Sequence, residues 1–224
     1  MTQTTTRDDD PWVLVRRHGA IRVYRHRDDH ERLRTFRGVL RMELADEYAL
    51  VALANDYENL PEWVHFLRDV EEIKRDGPLR RWLRFTTNLP WPLHDREAVL
   101  RLDARQHRDE HEDALWMDIS NAPDLIDPDP RFLRFPQLHG HSGMRRLPGD
   151  EVEIIYQMVI NPGGRIPAWL VNRVLRDAPF FTLARLHHRV RCPEYQGRYY
   201  RYLDLKGPGR PDAGTTGDEQ RSNG

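Results

Sequence analysis

Residues 35–42 and 151–160 carry an apolar side chain at every second position, and this period restricts the fold more than any other feature of the chain. Phe36, Gly38, Leu40 and Met42 alternate with Arg37 and Arg41, while Val152, Ile154, Tyr156, Met158 and Ile160 alternate with Glu151, Glu153 and Gln157. Successive side chains of a strand point to opposite faces, so each run is a strand with one buried and one wet face. Strands are also predicted at 20–26, 70–75, 80–87, 96–105, 114–120 and 139–147. Two stretches repeat at helical spacing instead. Residues 46–59 put Ala49, Leu50, Leu53, Ala54 and Tyr57 on one side, and a short turn restarts near Pro61. Residues 166–190 repeat Ile166, Trp169, Leu170, Val174, Ala178 and Phe181 after the turn NPGG, with Pro179 expected to kink the helix. Consecutive strands without helices between them pair antiparallel, and one long helix packed on such a sheet makes a layered α+β domain.

A chain of 224 residues can bury a sizeable single core. Its first ten residues and the stretch 206–224 are too polar to offset chain entropy, so one domain is expected over 11–205 between disordered ends. Lys+Arg 35 against Asp+Glu 36 gives a net charge of -1, which argues against nucleic acid as a partner despite Arg-rich pieces such as RRWLRF. Cys192 is the only cysteine, which excludes an internal disulfide framework and thiolate clusters. The histidines show no ligand spacing and no nucleotide or nucleophile motif appears, so no metal and no cofactor is expected. Asp46 with Glu47, Glu71 with Glu72, and the run Asp109–Asp113 read as solvated faces and turns. With no apolar leader and no run of about 18 apolar residues, a soluble, cytoplasmic monomer is expected.

The sharpest local feature is the strand 96–105. Ala98, Leu100, Leu102 and Ala104 share one face, Glu97, Arg101, Asp103 and Arg105 the other, and Arg96 is in phase with the apolar set. An inward guanidinium is costly unless it is neutralised. It either reaches water at the strand end, pairs with Asp95 or a carbonyl, or faces the polar end of a ligand. Just before it, in NLPWPLHD, Trp91 between Pro90 and Pro92 is either a core residue or the exposed tip of a lid.

Five segments, GAIRVYRH after Trp12, TFRGVL, LPWPLHDREAVL, NPGGRIPAWLVN and RDAPFFTLARL, together resemble the START family of lipid-transfer domains from about Trp12 to Arg191. The resemblance implies a helix-grip fold: a curved antiparallel sheet wraps a long C-terminal helix and encloses a tunnel for one lipid-like molecule. The 88–95 loop and that helix would form the mouth. Arg96 matches the cavity-facing arginine of the family's R-D/E motif. Residues 80–93 hold no acid to pair with it, unlike sterol-binding relatives, which shifts the expected ligand towards one bearing a carboxylate or phosphate. The stretch HGHSGMRRLP lacks the family's usual aromatic, implying a differently shaped tunnel.

The expectation is therefore a non-enzymatic protein that binds or transfers one lipid or other hydrophobic small molecule, with transient membrane contact through the 88–95 loop. Its ligand-binding residues would be Arg96, Trp91, Phe36, Leu40, Leu100, Leu102, Met117, Tyr156, Met158, Leu170, Val174 and Phe181. The alternative is an enzyme like the polyketide cyclases and aromatases, for which Arg96, Tyr156 and His94 are the visible acid or base candidates. No Asp or Glu accompanies them on the apolar faces, which ranks this second. Ligand sensing is a third reading.

Overall fold

The computed structural model describes residues 10–27, 34–164 and 166–208. The disorder expected at 1–9 and 209–224 lies outside the described residues. Strands β1 (Trp12–His18), β2 (Ile21–His26) and β3 (Arg34–Glu43) lead into helices α1 (Tyr48–Asn55) and α2 (Leu60–Trp63). There follow β4 (Leu67–Asp76), β5 (Arg80–Thr87), β6 (Arg96–Arg108), β7 (Asp113–Asn121), β8 (Leu133–Arg134), β9 (Gln137–Arg146) and β10 (Glu151–Asn161), and then α3 (Ala168–Arg189). They form a 10-stranded curved sheet in the order β1-β2-β3-β10-β9-β7-β6-β5-β4, antiparallel except where the two-residue β8 runs beside the start of β6. The α+β class read from the periodicities is the class observed. The two strands that revealed it are neighbours: Phe36 pairs with Met158 and Leu40 with Ile154 across β3 and β10.

Three elements differ from expectation for visible reasons. β1 escapes the period-two test because it is an edge strand with exposed Leu14 and Val15. It is held instead through Arg16, whose guanidinium sits 3.5 Å from the ring centre of Phe180 on α3 and reaches Asp177 at 2.9 Å. α1 stops at Asn55 rather than at 59, because Asp56 turns the chain: its carboxylate accepts hydrogen bonds from Asn59 Nδ2 and Tyr195 Oη, both at 2.9 Å. Finally, Asp46 and Glu47 are not solvated but 4% and 1% exposed. Glu47 accepts from Arg146 of β9 and from the backbone N–H of Lys206, so the C-terminal stretch belongs to the fold at least through Lys206. Leu203 and Leu205 are buried with it.

α3 lies close against β3 because Gly38 lets it. A Cβ at that position would stand 2.7 Å from Leu183 Cδ1 and 3.1 Å from Pro179 Cβ. Pro179, inside α3, thus faces the strand at the point of nearest approach. The helix packs closely on β3 there, while one stripe along its length borders an unfilled space.

Candidate functional site

That space is a cavity of about 370 Å³ between the inner faces of the strands and α3. Its wall follows the two periodicities. Arg81, Leu83, Phe85 and Thr87 come from β5, Ala98, Leu100, Leu102 and Ala104 from β6, and Ile154, Tyr156, Met158 and Ile160 from β10. α3 contributes Val171, Val174, Ala178, Thr182 and Leu186 at helical spacing. Among the described residues no Asp or Glu lines the cavity, and Arg81 is the one Arg or Lys that does. The hydroxyl of Tyr156 has no hydrogen-bond partner among the described residues, and burial pushes its pKa up to about 12.

Of the residues named from the sequence, Phe36, Leu100, Leu102, Met117, Tyr156, Met158 and Val174 line this cavity. Five do not. Leu40 is on the expected face of β3, but it is paired between Ile21 and Ile154 in the solid core beyond Gly38. Leu170 and Phe181 fall beside the wall because the lining stripe of α3 runs 171, 174, 178, 182, 186, slightly rotated from the stripe inferred. Leu170 is buried elsewhere, and the Phe181 ring packs on His65 with centres 4.9 Å apart. Trp91 is 90% exposed and stands in solvent.

Arg96 requires the largest correction. It is 2% exposed, as its phase demanded, yet it does not line the cavity. Its Nη1 donates to the carbonyl of His94 and its Nε to the carbonyl of Pro162 at 3.3 Å. The chain on either side of the strand start folds over the guanidinium and supplies carbonyls where a ligand head group was expected. No ion pair forms between Arg96 and the described residues; burial lowers its pKa, opposed only by the charge of Asp95. Arg96 therefore joins the 88–95 loop to the turn that precedes α3. The same loop is fixed by Asn88 N–H to Phe66 O at 2.8 Å, Leu89 N–H to Asp95 Oδ1 at 2.9 Å, and Arg68 to Asp95 at 3.1 Å. Leu89 and Leu93 of the loop face the cavity beside Pro162 and Ile166, while Trp91 projects from the tip.

On the outer face, Glu97 is completely buried under the 122–135 loop, held by Arg84, Arg134 and the N–H of Asp129. No three His, Cys, Asp or Glu side chains among the described residues are placed to hold a metal ion.

No protein-family model matches the sequence. An uncharacterized protein of Pseudomonas aeruginosa is 26% identical over 177 residues, 79% of this chain and 85% of that protein. Rat phosphatidylcholine transfer protein is 26% identical over 174 residues, 72% of this chain and 75% of that protein. Among solved structures, the STAR-related lipid transfer protein of Xanthomonas axonopodis superposes with a TM-score of 0.71 at 26% identity, over 82% of this chain and all of that fragment. The chain is similar in sequence and in fold to START lipid-transfer proteins. The fold is shared more widely: human StAR-related lipid transfer protein 5, at 17% identity, gives a TM-score of 0.64 over 82% of this chain and 88% of that one.

One wall residue was missed from the sequence although the signal was there. In RRWLRFTT, Arg81 is in phase with Leu83 and Phe85, the relation that singled out Arg96 on the next strand. Tyr202, which also lines the cavity, carried no such signal, since it sits in an irregular segment that returns to the domain after α3.

Proposed function

We propose that this protein binds one hydrophobic molecule, in the first place a lipid, in the cavity beneath α3, and exchanges it with membranes past the 88–95 loop as a cytoplasmic monomer. The observation that carries the reading is the wall itself, in which apolar positions of β5, β6, β10 and α3 converge on unfilled space and no described carboxylate intrudes. Apolar area removed from water stabilises a bound chain by about 25 cal/mol per Å², so such a wall supplies affinity without specific polar contacts. The likeness to the rat phosphatidylcholine transfer protein and to the Xanthomonas lipid transfer protein supports the same reading. The cyclase-like alternative has less to draw on. Of its candidate groups only Tyr156 faces the cavity, and a phenol with a pKa near 12 stays protonated at neutral pH, so it cannot serve there as a base.

Trp91 is suited to membrane contact, because a large aromatic tip in solvent gains most by entering an interface. Freshly purified protein should show a bound lipid-sized mass in native mass spectrometry. Trp91→Ala should slow exchange of that ligand with vesicles while changing folding stability by no more than about 0.5 kcal/mol, as for an exposed side chain. Empty protein that extracts nothing from vesicles of mixed phospholipid and fatty acid would sink the proposal.

A further inference from the structure

The end of the cavity away from the 88–95 loop is built differently from the rest. β6 runs the length of the wall, from Arg96 beside the loop to Ala104, whose N–H binds the carbonyl of Leu79 at 2.7 Å. Arg81 pairs with Leu102 across β5 and β6, six residues from Arg96, or about 20 Å along a strand. At that remote end, Pro78, Leu79, Tyr57, Tyr202 and Leu203 complete the wall. Arg81 is largely withdrawn from water, with a side chain 12% exposed.

The polar groups gathered there are donors in excess. Arg81 Nη1 donates to Tyr57 Oη at 2.7 Å and its Nη2 to the carbonyl of Pro78 at 3.3 Å. Its one carboxylate neighbour, Glu72, lies 3.4 Å from Nη1 and is already engaged by Arg75 through two bonds of 2.9 Å. Two guanidinium groups thus share one carboxylate, leaving an excess of one positive charge. Tyr57 accepts from Arg81 and has no acceptor for its own proton among the described residues; the Tyr202 hydroxyl has no hydrogen-bond partner there. Partly withdrawn donors without acceptors are costly to keep unless something accepts from them. The positive charge next to Tyr202 and Tyr57 pulls against the burial that raises both phenol pKa values, so both stay neutral donors.

We infer that Arg81, Tyr57 and Tyr202 form the specificity-determining pole of the cavity and select a ligand whose apolar chain ends in an anionic carboxylate or phosphate. The inference rests on the proposed lipid-binding reading and gives it polarity: the anionic end lies at the remote pole and the apolar chain runs along β6 towards the loop. It assigns charge selection to Arg81, with Arg96 left as a loop fastener.

The test compares dodecanoate, dodecyl phosphate and dodecanol by calorimetry on the delipidated full chain. Wild-type protein should bind at least one of the two anions about ten- to a hundredfold more tightly than the alcohol, the range for hydrogen bonds to a charged group. The stronger of the two shows which anion the pole fits. Arg81→Met should abolish that preference, weakening the favoured anion at least tenfold more than dodecanol; folding should survive, since Arg75 still holds Glu72. Tyr202→Phe, which removes only a hydroxyl, provides the check if Arg81→Met does not fold, and should reduce the preference severalfold. Equal binding of all three probes by wild type, or equal weakening of all three in either variant, overturns the assignment but leaves the lipid-binding reading standing. Failure of wild type to bind any of them overturns both.

Discussion

Glu97→Ala should lose about 3–5 kcal/mol of folding stability, the cost of breaking a buried ion pair from one side. Glu97 is fully buried, and it is the hub of the outer surface of β6. Its Oε2 accepts from Arg84 Nε at 3.0 Å; its Oε1 is 3.0 Å from Arg134 Nη2 and accepts from the N–H of Asp129 at 2.9 Å. Arg84 and Arg134 are themselves 15% and 14% exposed, so truncation leaves two poorly solvated guanidinium groups facing each other and an orphaned amide. Asp129, 3.0 Å from Arg84, compensates only one of them. Glu97→Gln keeps the shape and one acceptor and should lose less. Urea denaturation of both variants measures the difference; a loss below about 1 kcal/mol for the alanine variant would show that the 122–135 loop opens and lets water reach the arginines.

Period two assigned faces, and it did so correctly wherever a strand is regular. Ala98, Leu100, Leu102, Tyr156 and Met158 all face the cavity as their parity demands. Parity does not say what lies over a face. Phe36, Gly38 and Leu40 share one side of β3, but the first borders empty space, the second touches Pro179 and Leu183, and the third is sealed in the core. Where α3 leaves the sheet is a property of helix placement, visible only once Gly38 is seen against the helix. Arg96 shows the same limit from the other side: its inward phase was legible, but the carbonyls that receive it come from His94 and from Pro162, 66 residues on. Charges were the least legible of all. Glu47 and Glu97 each follow another charged residue, Asp46 and Arg96, as groups in solvated turns and faces do, and partners such as Arg146 and Arg134 lie far along the chain. Arg81 is the contrary case, an inward charge whose phase with Leu83 and Phe85 is legible in the sequence.

Arg146→Ala should lose a comparable 3–5 kcal/mol, for a reason that reaches the cavity. The Arg146 guanidinium holds Glu47 through Nε at 2.7 Å and Nη2 at 2.5 Å, and its Nη1 binds Asp113. Those bonds, led by the one to Glu47, hold its pKa well above the ordinary arginine range against the opposing effect of burial. Glu47 is 1% exposed and its Oε2 also accepts from the N–H of Lys206 at 2.8 Å, while Arg146 Nη2 lies 3.3 Å from the carbonyl of Asp204. The pair therefore fastens the returning C-terminal segment, which carries Tyr202 and Leu203 into the cavity wall. Removing the arginine alone strands a buried carboxylate; replacing both partners in Glu47→Leu with Arg146→Met removes two desolvated charges and should recover much of the stability. The amides of Leu205 and Lys206 separate packing from fastening. They should lose hydrogen-exchange protection in the single variant, and Lys206 should stay unprotected in the double variant because its acceptor is gone. Equal losses of stability in the single and double variants would show that the pair contributes by shape alone, and protected amides in both would show that the segment is held by Leu203 and Leu205 without it.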